Sequence, residues 1–87
     1  MKVVAKPIDA IVVFRGRGKP LPYKFRYTES DGERREIIVD RIILVDEQRI
    51  AGSRSLVYDC QSDIDDHERR YQLKYIVNDC RWELYKI

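Results

Sequence analysis

Cys60, Cys80 and His67 are the only thiols and the only imidazole in the chain, so nucleophilic, redox or zinc chemistry would have to be built around them. A structural zinc site needs four ligands, usually Cys or His. These three stand in unrelated sequence contexts with no C-x-x-C, which points away from zinc. His67 lies in Ser62-Asp-Ile-Asp-Asp-His-Glu68, a polar run that reads as a solvated turn between two strands. A Ser–His–Asp or Cys–His centre could form only there. Asp59, Asp63, Asp65 and Asp66 could gather a hard cation, but the run lacks the central Gly and closing Glu of a calcium loop. No base, nucleophile and metal set assembles, so the chain reads as non-enzymatic, with no cofactor.

The second chemical feature is basic. Phe14-Arg-Gly-Arg-Gly-Lys19 places Arg15, Arg17 and Lys19 within five residues, interleaved with glycine, and Lys24 and Arg26 follow on the next strand. Such a loop can bring backbone N–H groups and cations to a phosphate. With Tyr23, Phe25 or Tyr27 for stacking, it holds the ingredients of a single-strand-binding surface for DNA or RNA. It is neither a Walker loop nor a dinucleotide fingerprint, being too short and opening no helix. The competing reading is a solvated basic loop beside aromatics that the core requires.

Strands must position these groups. Apolar residues alternate with period two along most of the 87 residues, and β-branched and aromatic content is high. The pattern predicts an all-β single domain over residues 1–87. It has about six antiparallel strands in a meander curled into a small barrel or half-barrel. The expected strands are Ile8–Phe14 (prolonged by Val3 and Val4), Tyr23–Thr28, Arg35–Val45, Ser55–Gln61, Arg69–Val77 and a last one after Asn78-Asp79. Tyr23, Phe25 and Tyr27 should share the interior face. Asp46–Gly52 should be one helical turn at most, near 46–51, or an ordered loop. A three-residue turn ending at Gly32 pairs Phe25 with Ile37, Tyr23 with Val39 and Arg26 with Glu36. A two-residue turn at Asn78-Asp79 pairs Val77 with Cys80, Tyr75 with Trp82 and Leu73 with Leu84. It also sets Lys74 against Glu83 and Gln72 against Tyr85. That register places Cys80 at one end of its hairpin and Cys60 near Arg70 at the other, about 20 Å away at ~3.3 Å per residue. A disulfide needs Cα atoms within roughly 7 Å, so both thiols should be reduced.

Charged residues make up 37% of the chain and hydrophobic ones 44%, with a formal net charge of +2. There is enough apolar residue to fold. No stretch reaches the ~20 apolar residues of a membrane span, and Lys6, Pro7 and Asp9 break the apolar start that a signal peptide would need. The expected location is cytoplasmic, without membrane association. The small net charge conceals a division. Residues 1–29 carry seven basic side chains against two acidic, +5, and residues 30–87 carry ten against thirteen, −3.

Pro7-Ile8, Lys19-Pro20 leading to Phe25-Arg-Tyr27, Val39 with Ile42-Ile43-Leu44, and the closing Tyr71-Gln-Leu73-Lys-Tyr75 and Arg81-Trp82-Glu-Leu84-Tyr-Lys-Ile87 form an ordered series. Over nearly the whole chain it resembles a short bacterial β-domain family of unknown function. Members stand alone or are similar to C-terminal segments of translesion-type DNA polymerase homologues. The resemblance implies a non-enzymatic accessory or binding module with a link to DNA transactions, and no site residues carry over. The acidic Asp63–Glu68 segment and the Arg41–Gly52 connection have no place in that pattern. Two functions remain open: a nucleic-acid-binding module using Arg15, Arg17, Lys19, Lys24 and Arg26, or a module that binds a protein partner or a second copy along an exposed sheet edge.

Overall fold

The computed structural model describes residues 1–87 and is all-β. Eight strands form two antiparallel sheets: β1 Val3–Pro7, β2 Asp9–Val13, β3 Leu21–Thr28, β4 Arg34–Ile38, β5 Arg41–Ile50, β6 Ser53–Ile64, β7 His67–Ile76 and β8 Arg81–Lys86. The larger sheet has the order β1-β8-β7-β6-β5 and the smaller β2-β3-β4. The chain is thus a meander folded on itself, in which two of the expected strands bend and change sheet. The first breaks at Ile8, just after Pro7, which has no N–H for a ladder. Ile8 N bonds the Trp82 carbonyl at that corner. The third breaks at Val39-Asp40, where Asp40 takes a hydrogen bond from the Asp63 N–H at 2.8 Å and gives its own N–H to the Gln61 carbonyl. The two sheets face each other, joined at these corners, and do not close into a barrel.

Between them lies a core of Phe25, Tyr27 and Ile37 from the small sheet against Leu56, Tyr58, Cys60, Tyr71, Leu73, Trp82 and Leu84 from the large one. The Phe25 ring meets Tyr71 across the sheets at 5.5 Å between centroids, and Trp82 packs between Tyr58 at 5.2 Å and Tyr75 at 4.9 Å. Tilted and offset rings at such separations add to the area they bury, which matters in so small a core.

The hairpin registers follow the alternation. Phe25 faces Ile37, Arg26 faces Glu36, and Val39 N bonds the Tyr23 carbonyl; Gly32 closes the turn at φ +88°. Leu73 faces Leu84, Tyr75 faces Trp82 and Lys74 faces Glu83. Four expectations are corrected. Asp46–Gly52 is no helix or loop but the second half of β5, paired residue for residue with β6 as far as Ile50–Ser53. Ala51 and Gly52 at φ +50° and +81° make the turn there, so the glycine ends a strand and not a helix. The polar run Ser62–Glu68 is mostly strand, turning only at Asp65-Asp66, both with positive φ. Asn78-Asp79 lies in a short 3-10 turn with Cys80 left-handed, in place of a two-residue turn, and a ladder irregularity sets Gln72 against Lys86 and not Tyr85. Tyr23 points away from the core. The β2–β3 ladder shifts between Ile11 and Val12, opposite Pro22, so Pro22 and Phe25 both face inward with Tyr23 bulged out between them. Both cysteines are free, Cys60 buried opposite Tyr71 and Cys80 exposed.

Candidate nucleic-acid interface

The loop from β2 to β3 is built by its glycines and its prolines. Gly18 N–H donates to the Arg15 carbonyl at 2.8 Å, closing a turn whose first central residue, Gly16, sits at φ +51°. Positive φ at that position is free only for glycine. The loop re-enters the fold at the buried Pro20, whose carbonyl accepts a hydrogen bond from the buried Tyr58 hydroxyl on β6. A short basic turn is thereby bolted at one end to the middle of the core.

Arg15, Arg17 and Lys19 are exposed on this loop and take no part in any of the six ion pairs of the chain. Lys19 lies toward β5. The Arg54 guanidinium bonded to Glu47 at 2.6 Å holds that carboxyl below the usual range, and Lys19 adds a smaller attraction. Lys24 and Arg26 project from the outer face of β3, but each is already compensated: Lys24 pairs with Glu36, and Arg26 with Asp9 at 2.9 Å. Arg26 and Glu36 are register neighbours, as expected, but each forms its ion pair with another residue, Asp9 and Lys24 respectively. Lys74 likewise rests over the Tyr85 ring, 4.8 Å from its centroid, and makes no pair with Glu83.

Of the aromatics expected beside the loop, Phe25 and Tyr27 are buried and offer no stacking face. Tyr23 does, at 55% exposure, and so does Phe14 at the loop's start, at 66%. Ile11, Val13 and Ile38 are also exposed on the small sheet. A groove of about 220 Å³ next to the loop is lined by Val13, Arg15, Leu21, Tyr23 and Arg41 among others. Sequence reasoning missed Arg41, which reads as one more solvated charge in a strand. It also missed Phe14 as a stacking group, which as an aromatic at the end of an apolar strand reads as core.

The remaining candidates are dispersed. Asp59 binds Gln72 at 2.8 Å, Asp65 binds Arg35 at 2.7 Å, and Cys60 is 0% exposed with its thiol pushed up to about 12 by burial, then by the Asp59 charge. Such a thiol is inert. The carboxylates that come within 4.8 Å of one another are Glu29, Asp31 and Glu33, on the β3–β4 turn, with Glu29 held by Arg35. No helix is long and apolar enough to cross a membrane. No family model, curated protein or solved structure matches the chain.

Proposed function

We propose that the protein is a non-enzymatic binding module that holds single-stranded nucleic acid across its β2–β3 loop. Phosphates lie against Arg15, Arg17, Lys19 and Arg41, and bases stack on Phe14 and Tyr23. The observation that carries this reading is a turn of three uncompensated cations between two exposed aromatic rings. A positive groove with stacking platforms is the general form of sequence-tolerant strand binding. Lys24 and Arg26 contribute less, because a phosphate would have to displace Glu36 and Asp9 first. The resemblance to the polymerase-appended β-domains points in the same direction.

Fluorescence anisotropy with a labelled oligothymidylate of about 12 nucleotides at low salt tests it. Binding should weaken steeply with salt. Arg15→Ala with Arg17→Ala should reduce the slope of log K against log salt by about 1.4, at ~0.7 per phosphate on a single strand. Phe14→Ala or Tyr23→Ala should each cost about 1–3 kcal/mol. Absence of binding at low salt overturns the proposal.

A second reading rests on β5. This ten-residue strand is an edge of the large sheet and exposes Ile43, Leu44 and Ile50. An extended segment of a protein partner, or β5 of a second copy, could add to it. Sedimentation that shows association persisting at high salt, without nucleic acid, would favour this reading over the first.

A further inference from the structure

At the end of β3 away from the basic loop, the space between the two sheets opens as a cleft of about 510 Å³. Inward positions of facing sheets are normally apolar. Here four are basic side chains, each set by the ladder directly opposite a residue of the core, one packed on it, or the buried Ser62. Lys6 on β1 faces Leu84, Arg35 on β4 faces Tyr27, Arg69 on β7 faces Ser62, and His67 faces Ile64. All four line the cleft. The register gives them the inward parity at an open end of the sheets, where Lys6 and Arg35 are half-buried and Arg69 and His67 exposed.

Only one of the four is compensated. Arg35 holds Asp65 at 2.7 Å and Glu29 at 3.6 Å. Lys6 makes no ion pair; its Nζ sits 5.6 Å from the centroid of the Tyr27 ring. Arg69 makes none either. Burial and Glu29 push the Tyr27 hydroxyl up, while Arg35 and, more weakly, Arg69 act against them, and Arg69 lines the same cleft as Tyr27 and Lys6. Two cations without an ion-pair partner, Lys6 over Tyr27 and Arg69, therefore share the cleft with the apolar Val4, Ile64, Leu84 and Ile87. Lys6 is half-buried and Arg69 exposed at the mouth, so an anion entering the cleft could meet both cations beside an apolar surface.

We propose that this mouth is a binding site for a small organic anion, an oxyanion headgroup (carboxylate or phosphomonoester) carried on a compact apolar body. The headgroup sits between Lys6 and Arg69, and the body lies on the apolar floor. A cavity of this size with a few convergent polar groups has the general character of a small-ligand site. The site is independent of the single-strand surface at the opposite end of β3.

The test is an amide NMR titration of the full chain at constant ionic strength with four probes: hexanoate, hexyl phosphate, inorganic phosphate and hexanol. Hexanoate or hexyl phosphate should saturate and shift the amides of Lys6, Tyr27, Arg35 and Arg69, and the tighter of the two identifies the headgroup. Inorganic phosphate and hexanol should each bind at least about tenfold more weakly, one lacking the apolar body and the other the charge. Lys6→Met with Arg69→Met keeps both aliphatic stems and should weaken binding by about tenfold or more. Arg15→Ala with Arg17→Ala should leave it unchanged. The proposal is overturned if neither organic anion saturates these shifts, if inorganic phosphate or hexanol matches the organic anions, or if the double Met variant binds as the parent does. The probe series decides on the parent chain alone, whatever the variant's stability.

Discussion

The hydrogen bond from the Tyr58 hydroxyl to the Pro20 carbonyl joins the middle of the core to the basic loop, and Tyr58→Phe removes it without changing the packing. The Tyr58 ring is 0% exposed and lies 5.2 Å from Trp82, and phenylalanine fills the same space. What is lost is the one protein donor to a carbonyl that is itself buried. An unmet buried acceptor costs about 1–3 kcal/mol. For 87 residues, at 0.05–0.15 kcal/mol each, the whole stability is about 4–13 kcal/mol, so this is a large share of it. At the middle of that range, about 2 kcal/mol, the fall in Tm is roughly 8–16 °C. Tyr71→Phe is the control. Its hydroxyl also makes a buried hydrogen bond, to Ser62 Oγ at 2.6 Å, but Ser62 keeps its bond to the Ile38 carbonyl at 2.6 Å and a longer one from Asp40 N–H. That variant should lose under about 1 kcal/mol. Melting followed by circular dichroism in the near-ultraviolet, where Trp82 reports packing, gives both values. Hydrogen exchange over residues 15–21 should rise only in Tyr58→Phe. A Tm within about 2 °C of the parent for Tyr58→Phe, or a larger loss for Tyr71→Phe, would refute the assignment of the loop anchor.

Burial also pushes the Tyr58 hydroxyl up to about 12, with Cys60 and Tyr75 adding to it, raises Tyr71 further, and raises the Cys60 thiol to about 12. The folded state keeps these acids protonated where the unfolded chain ionises them. Stability should therefore be level below about pH 9 and fall as pH rises through about 12, seen as a lower urea midpoint at about pH 10.5 than at about pH 8; an unchanged midpoint would count against it. A thiol reagent should titrate one cysteine, the exposed Cys80, in the folded protein and two in denaturant; two fast equivalents in the folded state would contradict the burial of Cys60. Ala51→Asn should raise Tm by several degrees, for a gain of about 0.5–1 kcal/mol, because Ala51 sits at φ +50° in a two-residue turn where asparagine is at ease and alanine is strained. A drop in Tm would mean that the turn differs from the one described.

The hairpin pairings were legible because two independent signals agreed: a turn residue fixed the loop length, and only one register kept Phe25, Ile37, Tyr75, Trp82, Leu73 and Leu84 on common faces. Where the signals conflicted, local chemistry misled. Asp46-Glu-Gln-Arg has the composition of a helix start, yet its partners on β6 hold it extended; pairing along a ten-residue ladder outweighs a few tenths of a kcal/mol of propensity per residue. The run from Ser62 to Glu68 looked like a loop for its polarity, but Asp65 and Asp66 suffice to turn the chain, and the neighbours extend both strands. The two bends that make eight strands out of six had one visible marker, Pro7, and one that was invisible, because the corner at Asp40 depends on an N–H twenty-three residues away at Asp63.

The sites invert the usual weight given to charge and parity. A charge-rich chain invites the view that its Lys and Arg side chains cover the wet face of a sheet, and Lys24 and Arg26 do so, balanced by Glu36 and Asp9. Parity says otherwise for others. The inward series Tyr75, Leu73, Tyr71 on β7 continues in steps of two to Arg69 and His67, and Ile37 on β4 continues to Arg35. Read by period alone, these residues belong to the core side; read by type alone, they belong to solvent. Both hold only where the sheets part and inward positions meet water. There a cation can stand beside apolar residues without an ion-pair partner, as half-buried Lys6 and exposed Arg69 do. A cation on the inward parity of a strand end is thus a more specific pointer to a ligand than composition alone, because the register sets it beside apolar side chains in one cleft. The two proposed sites differ in that respect. Removing Arg15 and Arg17 should leave stability within about 0.5 kcal/mol. Removing the charges of Lys6 and Arg69 should not lower stability in the absence of ligand, since neither makes an ion pair and the methionines keep the aliphatic stems. Urea denaturation of the two double variants measures both, and a Lys6→Met/Arg69→Met chain destabilised by more than about 1 kcal/mol would show that the mouth cations also support the fold, as Lys6 over the Tyr27 ring can.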